Sequence, residues 1–559
     1  MPELTPLSDR LRVAAAQFAT GSDLDENLAT CLRMLDAAVA QGADLVVLPE
    51  FCNHISVYDD AAHCQAVAVA LDGPWLRAFS RRVAEHGVYA AMAVTIPRPD
   101  GRVTVTGLLF DPDGELLASA DKQMLMGNER AFLSAGAGAH PVADTRFGPV
   151  GLYSCMDGVT FEIPRTLAVR GARLLMNNLN SFARDEASLH VPVRAAENGV
   201  FVVAANKVGP LLPADRVGAF SEALGVPPET LNGAGESQIV GPDGTVLAIA
   251  PLTGEAVVIA DVDLSAVDPG RLSGRRPKVY APLAQADTVQ PASGLASEVV
   301  VACVPGARAN PGLIDEAFAS GASLVVLPEL TPVPPVIPEG ILVVTTVSGE
   351  YQHSPAQHSP AQHRGQVWSA QGLVHEQLQI HRSNRYPQVT DLGDSVGLYR
   401  TPFGDLAVLI ADDHRYPEAM RLAAVAGAHI VVVCWQPEHA WECDLALLER
   451  AAENRVSLAA CGPAGSPGAA LLLDPPADSL WNPHRSSAYD GTINTPETIR
   501  AKPGDGMSIS TLHPGRALHR EVSKNTDLVA GRPWQASVVL SAAPSKTPPQ
   551  PHRPRISSM

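Results

Sequence analysis

Apolar runs and amphipathic stretches take turns along this chain. LRVAAAQF at 11–18 is a short apolar run, the Leu, Met and Ala positions of 23–43 recur at helical spacing, and DLVVLPEF at 44–51 is apolar again. The opening therefore reads strand, helix, strand. The order continues through VYAAMAVTIP (88–97), TVTGLLFDPDGELLASADK (104–122) with a turn at Pro112 to Gly114, and VGLYSC (150–155). A helix through TLAVRGA, the strand RLLMNN (173–178), a helix around RAAEN and the strand FVVAANKVG (201–209) follow. Buried strands alternating with amphipathic helices predict a layered α/β domain whose helices cover sheet faces.

The pattern then occurs a second time. FGPVGLYSCMDGVTFEIPRTLAVRGA from Phe147 is matched without a gap by FGDLAVLIADDHRYPEAMRLAAVAGA from Phe403, and both continue to RAAEN, at Arg194 and Arg450, an offset of 256 residues. Identity at Phe147, Asp157, Glu162, Arg165, Gly171 and through RAAEN marks an internal duplication. Cys155, however, faces Ala411. The predicted organisation is a first domain over 1–283, a linker over 284–297, a second domain over 298–545 and a disordered tail over 546–559. After Glu329 the second copy keeps only the Pro-rich TPVPPVIPEG where the first spends residues 51–87, so a helix and a loop are expected to be missing there. QHSPAQHSPAQH at 352–363 has the composition of a low-complexity loop, with a histidine-rich metal site as its alternative.

Three polar residues of the first copy stand where an apolar strand ends, the place at which α/β folds present side chains to ligands. They are Glu50 after LVVLP, Lys122 after LLASAD, and Cys155 after VGLYS. A single charge at a strand end is ordinary, but these three are chemically complementary. A thiol attacks as thiolate, so it needs a base or nearby positive charge. Glu50 can accept the proton, Lys122 can hold developing negative charge, and a helix beginning after Cys155 would add its dipole, placing an oxyanion between Lys122 and the Met156 amide. Beside them, Asp157 is expected either to brace its loop or to touch substrate. His54 and Tyr58 are candidate pocket walls, and Asn180, Arg184 and His190 are candidate ligand contacts against the alternative of a solvated loop. Arg194 and Glu197 persist as Arg450 and Glu453 and are read as structural.

These residues, in this order, resemble the carbon-nitrogen hydrolase, or nitrilase, superfamily. The resemblance rests on LVVLPEF, DGELLASADKQML, NERAFLSAG, SCMDG, VRAAENGVFVVAANKVG, GESQIVGPDG and GRRPKVY, and covers nearly all of both copies. It implies two tandem four-layer αββα sandwich domains, with Glu50 as general base, Cys155 as nucleophile, Lys122 as stabiliser of the tetrahedral intermediate and Glu129 as a positioning or proton-handling group. It also implies hydrolysis of a small amide or N-carbamoyl compound through a thioester, with no metal or organic cofactor. Asp157 at the second position after the cysteine favours amide-type substrates over nitriles. The segment MDGVTFEIP departs from the family in lacking the Pro-Glu order that the second copy shows at Pro417 and Glu418.

In the second copy Gln379 aligns with Lys122 and Glu329 with Glu50, so one of three chemical groups survives and the domain is expected to be degenerate. Family members pair through a helical face, and a tandem fusion would reproduce that contact as an intramolecular pseudo-dimer, with further homo-oligomerisation open. Nitrile hydrolysis, amide-forming acyl transfer and a non-catalytic binding scaffold are the competing functions.

Composition narrows the setting. Fifty-nine acidic against 41 basic side chains, a formal charge of −18 without a long basic run, disfavours nucleic acid as partner. The eight cysteines form no CxxC pair, which disfavours a zinc site or disulfide framework. Neither a signal-type apolar stretch nor a run of about 18 apolar residues is present, so the expected location is the cytoplasm and no membrane partner is expected.

Overall fold

A computed structural model describes residues 9–350, 361–502 and 505–542. The predicted tail and most of the QHSPAQHSPAQH loop lie outside the described residues.

The first half opens with β1 (Arg10–Gln17), α1 (Leu24–Val39) and β2 (Leu45–Val47). Asp23 caps α1 by accepting from the Asp25 and Glu26 amides, which fixes its start. The connection after Glu50 folds as α2 (Ala61–Val67) and α3 (Pro74–His86), the latter stopped by Gly87 at φ 65°. Next come β3 (Tyr89–Pro97), β4 (Val103–Phe110), β5 (Leu116–Asp121), β6 (Val142–Thr145) and β7 (Gly148–Ser154). After α4 (Glu162–Val169), β8 (Leu174–Asn178), α5 (Val191–Asn198) and β9 (Phe201–Ala205) come β10 (Val208–Pro210), α6 (Val217–Leu224), β11 (Asn232–Ala234), β12 (Gln238–Val240), β13 (Val246–Ile249) and β14 (Ala256–Asp263).

Two six-stranded sheets result, in the orders β14-β1-β2-β3-β4-β5 and β13-β12-β9-β8-β7-β6, with β10 and β11 pairing apart from them. In each, three central strands run parallel, β1-β2-β3 and β7-β8-β9. Such strands are covered on both faces, which is why they read as continuous Ala, Val and Leu runs. Val13, Val47, Leu109, Leu152, Met176 and Val203 meet between the sheets. Leu35 of α1 and Phe79 of α3 cover the outer face of the first sheet, and Ile163, Leu167 and Ala195 of α4 and α5 cover that of the second. Fully burying a side chain of this size contributes roughly 1.5–3 kcal/mol.

The second half repeats both six-strand orders and adds one short strand, Val389–Asp391, paired with Ala361–Ser369. Among the described residues one sheet orders Gly372–Leu378, Ala361–Ser369, Leu342–Glu350, Leu324–Val326, Val299–Cys303 and Ser508–Leu512, and the other Leu398–Thr401, Gly404–Ile410, Ile430–Cys434, Ser457–Cys461, Ala470–Asp474 and Glu497–Arg500. No helix forms between Glu329 and Ile341, as the shortened connection predicts. His363, assigned to the low-complexity loop on composition, instead lies in the strand Ala361–Ser369, buried between Thr346 and Gln379.

The halves meet through the helices of their second sheets, and each lends chain to the other. Val279, Tyr280 and Leu283 of the first half pack with Met420 and Ala423 of the second, while Val522, Leu528 and Ala536 pack against the α4 and α5 layer of the first. The contact is reciprocal: Arg165 pairs with Glu418 at 3.0 Å and, 256 residues on, Arg421 pairs with Glu162 at 3.0 Å. Arg194 likewise reaches Glu453 at 2.9 Å, and Arg450 reaches Glu197. All eight side chains are fully buried.

Candidate active site

Glu50, Lys122 and Cys155 come together at one end of the paired sheets, each just past the C-terminal end of its strand. Lys122 is fully buried, its Nζ 3.0 Å from Glu50 Oε1 and 3.0 Å from both carboxylate oxygens of Glu129. Glu129 sits in a 3₁₀ turn over Gly127–Ala131, where its Oε2 also accepts from the Met126 amide at 2.9 Å. Burial drives the Glu50 pKa up to about 7; Lys122 opposes this rise and Glu129 adds to it. Burial likewise disfavours the Lys122 charge, but Glu129 and Glu50 outweigh it and hold the ammonium well above its ordinary pKa. The Cys155 thiol is pushed up by burial and by Glu50, with Lys122 pulling the other way. Burial thus favours the neutral form of both the Cys155 thiol and the Glu50 carboxyl.

The backbone around these groups is strained and braced. Cys155 adopts φ 49° and Phe51, next to Glu50, φ 53°, a left-handed conformation uncommon for residues with a Cβ. The Cys155 amide donates to Asn177 Oδ1 at 3.0 Å, and Asn178 Nδ2 donates to the Leu48 carbonyl at 2.6 Å, so the end of β8 ties both sheets to the site. The Glu50 amide donates to the Leu179 carbonyl at 3.0 Å. Buried Lys207 donates to the Phe51 carbonyl at 3.0 Å, and burial lowers its pKa to about 8. Asp157 resolves toward bracing: it accepts from the Gln123 and Met124 amides at 3.0 and 2.8 Å and so fixes the chain that carries Lys122.

One expectation is corrected. The segment after Cys155 is a 3₁₀ turn over Cys155–Gly158, and α4 begins only at Glu162, so the groups at the thiol are those of a tight turn rather than a helix N-terminus. Met156 lies in that turn and, with Cys155, lines a narrow cavity of about 40 Å³.

The remaining candidates divide. Asn180 lines the same cavity and donates to Ser56 Oγ at 3.2 Å. Arg184 is absent from its lining; its guanidinium donates to the Asp490 carbonyl of the second half and lines a separate cavity with Tyr489 and Gly491. His54 and Tyr58 are buried and stacked at 5.9 Å, Tyr58 packing on Phe132, without lining the cavity. His190 does line it, held by Glu449 across the interface at 2.8 Å; burial opposes its charge, but Glu449 and Asp185 raise its pKa well above the ordinary value.

Sequence reading missed Glu186. It lines the cavity with Cys155, its Oε2 is buried without a hydrogen-bond partner, and burial raises its pKa to about 7. Its counterpart Glu442 is bonded by His414 at 2.8 Å, and Gly158 stands where His414 does, so the first half lacks that partner. Also missed were Ile493, Asn494 and Val522, second-half residues in the wall of the same cavity. Among the described residues no cluster of three or more His, Cys, Asp or Glu side chains is arranged to hold a metal ion.

At the matching place in the second half, Asp413 accepts from the Ile380 and His381 amides as Asp157 does from Gln123 and Met124, which puts Gln379 at the Lys122 position. Ala411 keeps the left-handed turn at φ 52° and Leu330 keeps that of Phe51 at φ 55°. Glu329 is taken up by Arg385 at 2.5 Å, Tyr386 at 2.8 Å and the Ala411 amide at 2.9 Å. Glu329, the counterpart of Glu50, is thus held in an ion pair.

Residues 12–271 and 340–492 match the carbon-nitrogen hydrolase family. The chain belongs to that family. The two matched segments accord with the tandem duplication. The chain is 28% identical to a nitrilase of Pyrococcus abyssi over 250 residues, covering 44% of this chain and 88% of that protein. It is 27% identical to the chloroplastic omega-amidase of Arabidopsis thaliana over 288 residues, covering 49% and 73%. A solved amidase from Nesterenkonia sp. is similar at 26% identity and a TM-score of 0.41, covering 49% of this chain and 95% of that one. The chain is thus a mixed α/β carbon-nitrogen hydrolase, and among its described residues no helix is long and apolar enough to cross a membrane.

Proposed function

We propose that this protein is a cysteine-dependent amidohydrolase of small amides or N-carbamoyl compounds, with one working site, in the first half. The observation that carries the reading is the buried Glu50–Lys122–Glu129 cluster set against a thiol on a left-handed turn. Glu50 takes the Cys155 proton as sulfur attacks the carbonyl carbon; Lys122 and the Met156 amide stabilise the oxyanion. Collapse of the intermediate breaks the C–N bond, and the proton held by Glu50 passes to the leaving ammonia or amine. A water deprotonated by Glu50 then opens the thioester, releasing the acid and returning the proton to sulfur. Glu129 positions Lys122, and Asp157 positions the backbone behind it.

In this reading the chain is two tandem four-layer αββα domains, 1–283 and 298–545, joined by 284–297 as an intramolecular pseudo-dimer that works in the cytoplasm. The second domain is catalytically silent, supported by Ala411, Gln379 and the Arg385 pair with Glu329. The test is ammonia release from primary amides and N-carbamoyl compounds, with mass spectrometry of the acylated protein. Cys155→Ala is expected to abolish both signals; ammonia release that survives it overturns the mechanism.

A further inference from the structure

Beside the Cys155 cavity lies a second, wider chamber, of about 120 Å³, and the two share Met126, Asn180 and Phe182 in their walls. Its polar edge carries Glu129, the carboxylate bonded to Lys122, so the chamber adjoins the Glu50–Lys122 cluster through that side chain. Ser56, Asn128, Asn180 and Ser523 are its other polar lining residues; the larger part of the wall is apolar, with Phe182, Phe220, Leu224 and Leu231 from the first half and Leu480 and Trp481 from the second. Among the described residues no lysine, arginine or histidine lines it. Two cations stand behind this wall without lining it: Lys122, committed to Glu129 at 3.0 Å, and exposed Lys524, its Nζ 5.5 Å from the Trp481 ring centroid.

Trp481 is held there at a cost. Its φ is 65°, a left-handed conformation that a bulky side chain adopts only when its surroundings impose it. Its indole closes on Gly127, where an added Cβ would lie 3.0 Å from Nε1, and the Gly127 amide donates to Thr526 Oγ1 at 2.9 Å. Second-half residues are thus pinned onto the turn that carries Glu129. The neighbouring loop is fastened as well, since Asp185 accepts from the Ile493 and Asn494 amides at 2.9 and 2.6 Å.

Building on the amidohydrolase reading, we propose that the silent half supplies the specificity wall of the working site, and that Trp481 and Leu480 select substrates whose group beyond the amide is uncharged and apolar, a ring or a short aliphatic chain. An apolar cavity of about 150 Å³ accepts benzene, so this chamber matches a group of that order. A carboxylate-bearing amide finds no cation in the lining and meets Glu129 instead.

The test is binding to the full-length Cys155→Ala protein, measured by calorimetry with acetamide, hexanamide, phenylacetamide and succinamic acid. Hexanamide and phenylacetamide are expected to bind at least tenfold more tightly than acetamide, and succinamic acid more weakly than hexanamide. Trp481→Gly removes the ring while suiting the positive φ, and should bring the acetamide-to-phenylacetamide ratio within about threefold; Trp481→Phe should restore most of it. A ratio unchanged in Trp481→Gly, equal binding of succinamic acid and hexanamide, or no binding at all overturns the proposal. The catalytic reading is judged separately on wild-type protein: Cys155-dependent ammonia release indifferent to the apolar group sinks the chamber alone, and selective binding without Cys155-dependent turnover sinks the chemistry alone.

Discussion

Glu50 is buried beside a lysine, and its two environments pull its proton in opposite directions. Desolvation wins and sets the pKa at about 7. The proposed mechanism uses Glu50 as an ionised general base, so it predicts that kcat/KM climbs as pH rises through this value. Glu50→Gln should remove that ascending limb and lower kcat/KM by about 10²–10⁴-fold, measured by ammonia release between pH 5 and 9. For stability the sign is reversed: a folded carboxyl that stays protonated up to about 7 makes folding less favourable as pH rises from about 4.3 to 7. The second half offers the converse test. Restoring Ala411→Cys and Gln379→Lys in a Cys155→Ala background should yield no ammonia release, because Arg385 and Tyr386 already hold Glu329; measurable turnover would show that this ion pair yields to substrate. Glu50, Lys122 and Cys155 were legible in the sequence because each interrupts an apolar strand with a polar group at its end. Glu186 was not, since nothing local distinguishes it from a surface charge; only the packing around Gly158 leaves its carboxylate at the thiol.

At the scale of elements, strands announced themselves through unbroken Val, Ala and Leu runs, and α1 through its apolar spacing and Asp23 cap. The turn after Cys155 was misread as a helix start because polar and apolar residues there follow the elbow, with Asp157 committed to the amides behind Lys122. The helices that matter most between the halves are α4 and its counterpart Pro417–Val425, whose buried glutamates each face an arginine of the other half. Burial opposes the charge on Glu418, yet Arg165 and Arg275 prevail and hold its pKa at about 2. Its stabilisation is therefore complete above the unfolded carboxyl pKa of about 4.3 and is lost as pH falls toward 2. Glu418→Gln should cost about 3–5 kcal/mol in urea unfolding at neutral pH, since it leaves buried guanidinium groups without their counter-charge. The gap from wild type should stay level between pH 6 and 8 and narrow below about pH 4; a gap that does not narrow would assign the loss to packing instead of charge.

For the whole molecule, the duplication was plain in the sequence, but the exchange between the copies was not, because contacts such as Gly127 with Thr526 and Arg184 with Asp490 join residues hundreds of positions apart. Their effect is asymmetric. The second half ties up its own Glu329 with Arg385 while lending Ile493, Asn494 and Val522 to the wall of the Cys155 cavity and Leu480 and Trp481 to the chamber beside it. It also reaches the turn itself: Arg194 donates to the Gly158 and Val159 carbonyls at 2.8 and 2.9 Å while its charge is met by Glu453 and Glu449 across the interface. Without the second half, Arg194 would keep only Glu197 as its buried counter-charge, and Arg165 would lose Glu418. Breaking one buried pair by removing a partner costs about 3–5 kcal/mol, against a typical total stability of roughly 5–15 kcal/mol. Residues 1–297 produced alone should therefore be aggregated or inactive, whereas 1–297 and 298–559 produced together as separate chains should purify as a one-to-one complex with Cys155-dependent activity. Size-exclusion chromatography and ammonia release decide between these outcomes: a monodisperse 1–297 as active as the intact chain would mean that the silent half contributes nothing to the site it encloses.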